Sequence, residues 1–495
     1  MTAPPPLSFA AKTAYGTGQL AEGVKTTAFN VFLLFYSNQV LGLPAWWTGL
    51  ALGIATVIDA VADPLMGSIS DSARLRWGRR HPFIYASVLP LGIAFALLFR
   101  PPVELSGTPL LLWLISFTIL VRLAVTAFAV PHMALGAELS SDYRERTSIV
   151  AYRNFLAYVG AVLVVVSGWG YFFRSAPGLT DGQFNRAAYP QFGLFCALAA
   201  SLSVLASALG THGRIPYLVV PRGAPEPLSL RRLWTEMRET LANPSFRALF
   251  FGVVLFFVTR GVADGLGIYM FTHFWETAPR AILQVQAIGL IGVLVGTVLW
   301  VGLSRGIDKR PAFLVGITVY SVFTLLPPLA KLCGWFPGSA TALYVPTLAG
   351  LGFVASLGAA AALVTSGSMM ADIADEHELT TGRRQEGIFF GALTFAVKVT
   401  SGLGQFVAGW GLELIAFPAH AAPGTVPAAT VNALAILYGP GLTLIAAVAI
   451  AILSRYRIDR ARHAEIVRAL LERRDAGLGG PAHAAALAAG AVADR

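Results

Sequence analysis

The chain has 495 residues, 56% of them hydrophobic and only 13% charged, with a mean hydropathy of +0.66. A soluble protein of this length would divide into several domains and need charge to cover them, so that class is excluded. The formal charge of +10 does not point to nucleic acid either, because the bases sit in short loops between apolar stretches of about twenty residues.

The start, Met1 to Pro6, lacks a basic segment leading into a compact apolar run, so no cleaved signal peptide is expected. Apolar stretches then predict twelve spans at 20–43, 46–70, 82–100, 109–137, 149–173, 190–210, 246–274, 283–304, 312–332, 342–370, 388–416 and 432–454. The longest polar stretch, Thr211 to Pro244, carries Arg214, Arg222, Arg231, Arg232 and Arg238 and divides the chain six plus six. The expected organisation is an all-α membrane protein: a first half at 1–210, a central loop at 211–244, a second half at 245–454 and a tail at 455–495.

Orientation follows from the loop bases. Arg74, Arg76, Arg79 and Arg80 follow span two, Arg144 and Arg146 span four, Arg305, Lys309 and Arg310 span eight, and Arg383 and Arg384 span ten. The alternate loops hold few, so both termini and the central loop are expected in the cytoplasm of a cell whose plasma (inner) membrane the chain crosses. The tail from Arg455 to Arg474 has helical spacing and is expected along the cytoplasmic membrane face, with an Ala/Gly-rich, unstructured end from Gly477. Cys196 and Cys333 lie in or beside apolar segments with no metal spacing, and each is expected to be a buried free thiol.

The stretch Gly67-Ser68-Ile69-Ser70-Asp71 leads into the bases at 74–80, and Gly302 to Arg310 occupies the equivalent place after span eight. Both resemble the Gly-x-x-x-Asp…basic loop of the major facilitator superfamily, which implies two parallel six-helix halves around a central cavity.

Charges inside the spans carry the functional signal. Asp59 and Asp63 stand four residues apart in span two, on one helix face. A carboxylate at membrane depth costs about 2.5–3.5 kcal/mol on insertion scales, and two of them one turn apart repel. A mobile cation between them relieves this; alternatively one Asp caps a helix kinked at Pro64 and the other pairs with a fixed base. Lys398, near the middle of span eleven, is the expected counter-ion, or else it bonds backbone carbonyls in a structural role. After span ten, the segment 372–387 is read as a loop in which Asp372, Asp375 and Arg384 face Arg144, Arg146 and Arg153 of the other half. Such pairs would form and part as a cytoplasmic gate, or be solvated surface charges of little worth.

Together these elements resemble the melibiose-permease family of glycoside–cation symporters over nearly the whole chain: Tyr15-Gly16, Asp59-x-x-x-Asp63-Pro64, Pro131, Asp142-x-Arg144-x-Arg146, Asp372-x-x-Asp375 and Lys398. The resemblance implies a cation site of Asp59, Asp63 and Thr126, with Lys398 coupling it to the sugar site. It also implies a small-molecule substrate and a coupling cation as partners; contact with membrane lipid and a monomeric state are further expectations. Two departures matter. The Asn that sodium users place before the second acid is Ala62 here, and the sugar-binding acids of spans one and four are Gly23 and Ala129, with Met133 in place of an aromatic. Galactoside chemistry is therefore not expected.

Candidate substrate residues are the remaining charges in the spans: Glu22 and Lys25, Arg122, Arg153, and Arg260 with Asp264, together with His132 beside Pro131. The alternatives are pairs that fix helix packing and a packed neutral histidine. No nucleotide loop, catalytic constellation or His/Cys metal spacing is present, so neither an enzyme nor a cofactor is expected. The expected function is a symporter importing a sugar, glycoside or sugar acid, coupled to protons because Ala62 lacks the oxygen a sodium ion would need. Sodium-coupled transport of an amphipathic or lipid-like solute and proton-driven efflux are the other readings.

Overall fold

The computed structural model describes residues 7–140, 142–175, 181–218, 238, 240–304, 306–382 and 386–478. The first half contains α1 (Phe9–Thr17), α2 (Leu20–Thr27), α3 (Ala45–Ser72), α4 (His81–Leu98), α5 (Gly107–Glu138), α6 (Tyr143–Ser167) and α7 (Ala188–His212). The second contains α8 (Pro244–Tyr269), α9 (Pro279–Leu303), α10 (Lys309–Leu332), α11 (Tyr344–Thr381), α12 (Glu386–Leu414), α13 (Ala428–Ile436) and α14 (Leu442–Leu453), followed by α15 (Arg460–Leu478).

Among the described residues, eleven helical stretches are long and apolar enough to cross a membrane. The predicted first span is not among them because its helix changes type: α2 passes into π-helical turns at Ala28–Leu33 and Tyr36–Val40. The linking residues keep helical angles (Leu34 φ −63°, ψ −46°), so the helix runs unbroken from Leu20 to Val40. Further π turns lie at Gly168–Phe172, Met270–Phe274 and Leu437–Gly441.

Two expectations need correction. The segment after span ten is not a loop at its start: α11 continues past residue 370 to Thr381, because no breaker intervenes before Gly382, which takes φ +70°. Asp372 and Asp375 are therefore helical. Cys333 is exposed at the end of α10, where the chain turns, whereas Cys196 is buried. The tail helix α15 buries Ile466 and Leu470 in one apolar cluster with Tyr456, Ile458 and residues of α8 and α11. The segment from 479 lies outside the described residues.

Each half is held by helices in near backbone contact. A Cβ on Gly23 of α2 would run into the Ala157 carbonyl of α6, so glycine is required at that crossing. Across the halves, α3 packs along α12, and a Cβ on Gly402 would strike the Thr56 side chain. This close crossing brings α12 against the acid-bearing face of α3.

Hydrogen bonds between the halves gather at the end opposite the termini. Gln39 donates to the Pro418 carbonyl at 2.9 Å and accepts from the Ala421 amide at 3.0 Å, while Tyr269 donates to Asn38 at 3.0 Å. Trp169 donates to Gln286 at 3.0 Å, so that end is closed by contacts between the two halves. At the termini's end, each half ties its own helices together. Arg79 and Arg80 meet Glu138 at 2.8 and 2.9 Å, Arg80 also meets Asp71, and Lys309 meets Asp372 at 2.6 Å.

Candidate functional site

Helices α3 and α5, separated in the chain by one crossing, run in the same direction. Asp59 and Asp63 repeat after one turn on α3, as Arg122 and Thr126 do on α5, and both pairs have the same 63-residue offset. The result is two rungs. Arg122 Nη1 donates to Asp59 Oδ2 at 2.6 Å, and Thr126 Oγ1 donates to Asp63 Oδ1 at 3.0 Å. From the other half, Lys398 Nζ donates to Asp63 Oδ2. Each carboxylate thus has a base from another helix as its partner.

A third pair adjoins the rungs. Lys25 Nζ meets Glu22 Oε1 at 2.6 Å, and Thr26 donates to the same oxygen at 3.3 Å. Glu22 lies within the fields of Lys398 and Arg122, and Lys398 within those of all three acids. Three acids face three bases, so the cluster is formally neutral before any mobile cation arrives. Of the unpaired atoms, Asp59 Oδ1 and Arg122 Nε are buried without a hydrogen-bond partner.

The cavity lies beside this cluster. About 450 Å³ in volume, it is lined by Asn30 and Tyr158 from the first half and by Arg260, Asp264, Gln286, Tyr320 and Tyr438 from the second. That size suits a small solute. Three π turns feed it with Asn30, Met270 and Tyr438, which widen the helix and redirect side chains where the halves meet. Arg260 Nε donates to Asp264 Oδ1 at 3.1 Å, one turn along α8. Asp59, Asp63 and Lys398 do not line this space, but Thr26 both lines it and holds Glu22.

The other predicted residues are placed elsewhere. His132 is sealed from solvent, with Nε2 against the Tyr15 carbonyl at 2.8 Å and its ring stacked on Tyr15 at 4.2 Å. Arg153 lies near the Tyr15 side chain, whose hydroxyl donates to the His132 carbonyl at 3.2 Å. Neither His132 nor Arg153 lines the cavity. Arg122 faces Asp59 and is likewise absent from the cavity wall.

Among the described residues, the acids of the expected cytoplasmic gate are paired within their own half. Asp372 turns to Lys309 at 2.6 Å and His463 at 3.3 Å, and Asp375 to His463 at 3.1 Å, all within the second half. Arg146 donates to the Ser140 carbonyl at 2.8 Å beside its own helix. Helix α11, extended to Thr381, holds both acids beside α15, and Asp372 beside α10 as well. The Arg144 side chain and Arg384 lie outside the described residues. Reading by spacing also missed Tyr158, Tyr320 and Tyr438, whose hydroxyls look like ordinary interfacial or core tyrosines until three helices converge on Arg260.

The family model described as MFS/sugar transport protein matches residues 14–460. The "Putative glycoside/cation symporter YagG" of Escherichia coli is 27% identical over 94% of this chain and 95% of its own length. The isoprimeverose transporter of Lactiplantibacillus pentosus is 24% identical, covering 90% of this chain and 88% of its own. Among solved structures, a bacterial homologue of the human lysosomal transporter Spinster, in an inward-facing conformation, superposes with a TM-score of 0.59 at 16% identity. It covers 94% of this chain and 96% of that one, a likeness of fold. The chain therefore belongs to the MFS/sugar transport family, the glycoside–pentoside–hexuronide:cation symporters of the major facilitator superfamily, and is a transporter rather than an enzyme.

Proposed function

We propose that the protein is a proton-coupled symporter that imports a small polar solute, a sugar, glycoside or sugar acid, by alternating access. The observation that carries this reading is the Asp63–Lys398 ion pair, an intramembrane bond whose two partners belong to different halves. Rocking of one half on the other must stretch or break that bond. A proton on Asp63 removes the charge that holds Lys398 and frees the halves to move. A proton needs one basic oxygen, whereas a dehydrated sodium ion needs several, and the Ala62 side chain offers none.

The cavity supports a polar solute of modest size. Hydroxyls and amides from both halves converge there, so a solute bound between them favours the arrangement in which both halves touch it. The names of two relatives, a glycoside/cation symporter and an isoprimeverose transporter, agree with a carbohydrate cargo. Loop bases assign the termini to the cytoplasm. With the opposite end closed by Gln39, Asn38 and Trp169, the arrangement corresponds to an inward-facing state.

Two measurements test the reading. Thermal-shift screening against sugars, glycosides and uronic acids identifies the solute, since a ligand at about 100 times its Kd stabilises by about 2.7 kcal/mol. Proteoliposomes then receive that solute under an inward proton gradient without sodium. Accumulation is expected; accumulation driven only by a sodium gradient overturns proton coupling.

A further inference from the structure

We infer that Arg122 is a built-in cation that occupies the sodium place at Asp59 and excludes sodium ions from this transporter. The inference rests on the symport reading but concerns which ion the site admits. Its first support is geometric. Arg122 Nη1 sits 2.6 Å from Asp59 Oδ2, with both residues buried, so the charge of this carboxylate is already matched by a full positive charge, although its second oxygen, Oδ1, has no hydrogen-bond partner. A guanidinium stays protonated at every physiological pH, and it is held by its own helix, so it cannot leave with the cargo.

The second support is register. Arg122 lies one turn from Thr126 on α5, directly opposite the first acid, and Thr126 faces the second. The place between Asp59, Asp63 and Thr126 is therefore flanked by Arg122 on one side and Lys398 on the other. A sodium ion arriving there meets the fixed charge of Arg122 and, while the Asp63–Lys398 bond holds, the charge of Lys398, inside a formally neutral cluster. It also finds a methyl group at Ala62 instead of a ligand oxygen. The third support is permanence. Both partners of the Asp59–Arg122 bond belong to the first half, so rigid-body rocking leaves it intact even as Lys398 parts from Asp63.

The test reads cation binding without substrate or transport, so its failure is separable from failure of proton coupling. Purified protein is unfolded thermally in about 100 mM sodium chloride and in the same concentration of choline chloride at one pH. For the wild type the midpoints should coincide; a saturable upward shift with sodium overturns the inference. Arg122→Ala leaves Asp59 buried and unpaired, and sodium should then raise its midpoint by several degrees. Arg122→Lys should behave as wild type, and Asp59→Asn/Arg122→Ala should lose the sodium effect. An Arg122→Ala protein that is indifferent to sodium, or that fails to fold in both salts while the double variant folds, also overturns it. Should the wild type ignore sodium yet fail to accumulate solute under an inward proton gradient, the coupling proposal falls and this one stands.

Discussion

Asp59 and Asp63 stand one turn apart on the same helix and have the same side chain, yet they are bonded in different ways. Asp59 is closed against Arg122 within the first half, where the two side chains are 11% and 6% exposed. Asp63 is held by Lys398 from the second half, where the side chains are 23% and 33% exposed. Burial and shared membership make the first bond a permanent part of one rigid body. Under the proposed rocking motion, partial exposure and membership in two halves make the second one breakable. The contrast teaches that spacing places a charge on a face, whereas its partner's address decides whether the charge is structure or machinery.

The largest effect is expected at the breakable rung. Lys398→Ala should abolish gradient-driven accumulation in proteoliposomes, with partial recovery of solute exchange when Asp63→Asn is added. Full uptake by the single variant would erase the distinction between the rungs. The next largest effect belongs to the permanent rung and is one of stability. Asp59→Asn strands a buried guanidinium, at a cost of about 3–5 kcal/mol. Thermal unfolding should register that loss, and Asp59→Asn/Arg122→Gln should recover most of it. Equal losses for Asp59→Asn and Asp63→Asn would count against the contrast, because Lys398 keeps Glu22 as a neighbour and some access to solvent.

A smaller effect sharpens the contrast from the side of packing. Gly23 lies in a crossing internal to the first half, where an added side chain meets the Ala157 carbonyl. Gly23→Asp should destabilise by about 1–3 kcal/mol through overpacking, and confer no galactoside uptake. Normal stability would mean that α2 and α6 can part, and that the half is less rigid than argued. The smallest effect is expected at the surface, where His463 meets Asp375 at 3.1 Å. Both groups are about one-third exposed, so His463→Ala should change stability by less than about 1 kcal/mol and leave uptake unchanged. A large loss of transport would move this contact into the machinery.

How much was legible in the sequence depends on what kind of fact was sought. Asp59, Asp63 and Lys398 were found because charge in an apolar run is costly wherever the chain goes. Gly23 and Ala129 were visible as missing acids, but not that Gly23 serves a helix crossing, since the neighbour that fills its space lies on α6. Arg122 was read as a solute contact: nothing in the order of residues shows that a base 63 positions on stands level with Asp59. The end of α11 was placed too early because an acidic, polar segment reads as loop, although only Gly382 breaks the helix.

By itself the sequence determined the class of molecule: hydrophobic length dictates a chain of membrane-crossing helices, and two equivalent Gly…Asp…basic loops dictate two related halves. It also determined that ionic chemistry lies at membrane depth, because no other force keeps carboxylates there. Only the tertiary structure decided which base serves which acid, that Asp372 and Asp375 belong with Lys309 and His463, and where three tyrosines meet Arg260 to make a cavity. Pairing is a matter of distances between helices remote in the chain. Those distances are set by packing contacts such as the crossing at Gly402, which local periodicity does not encode.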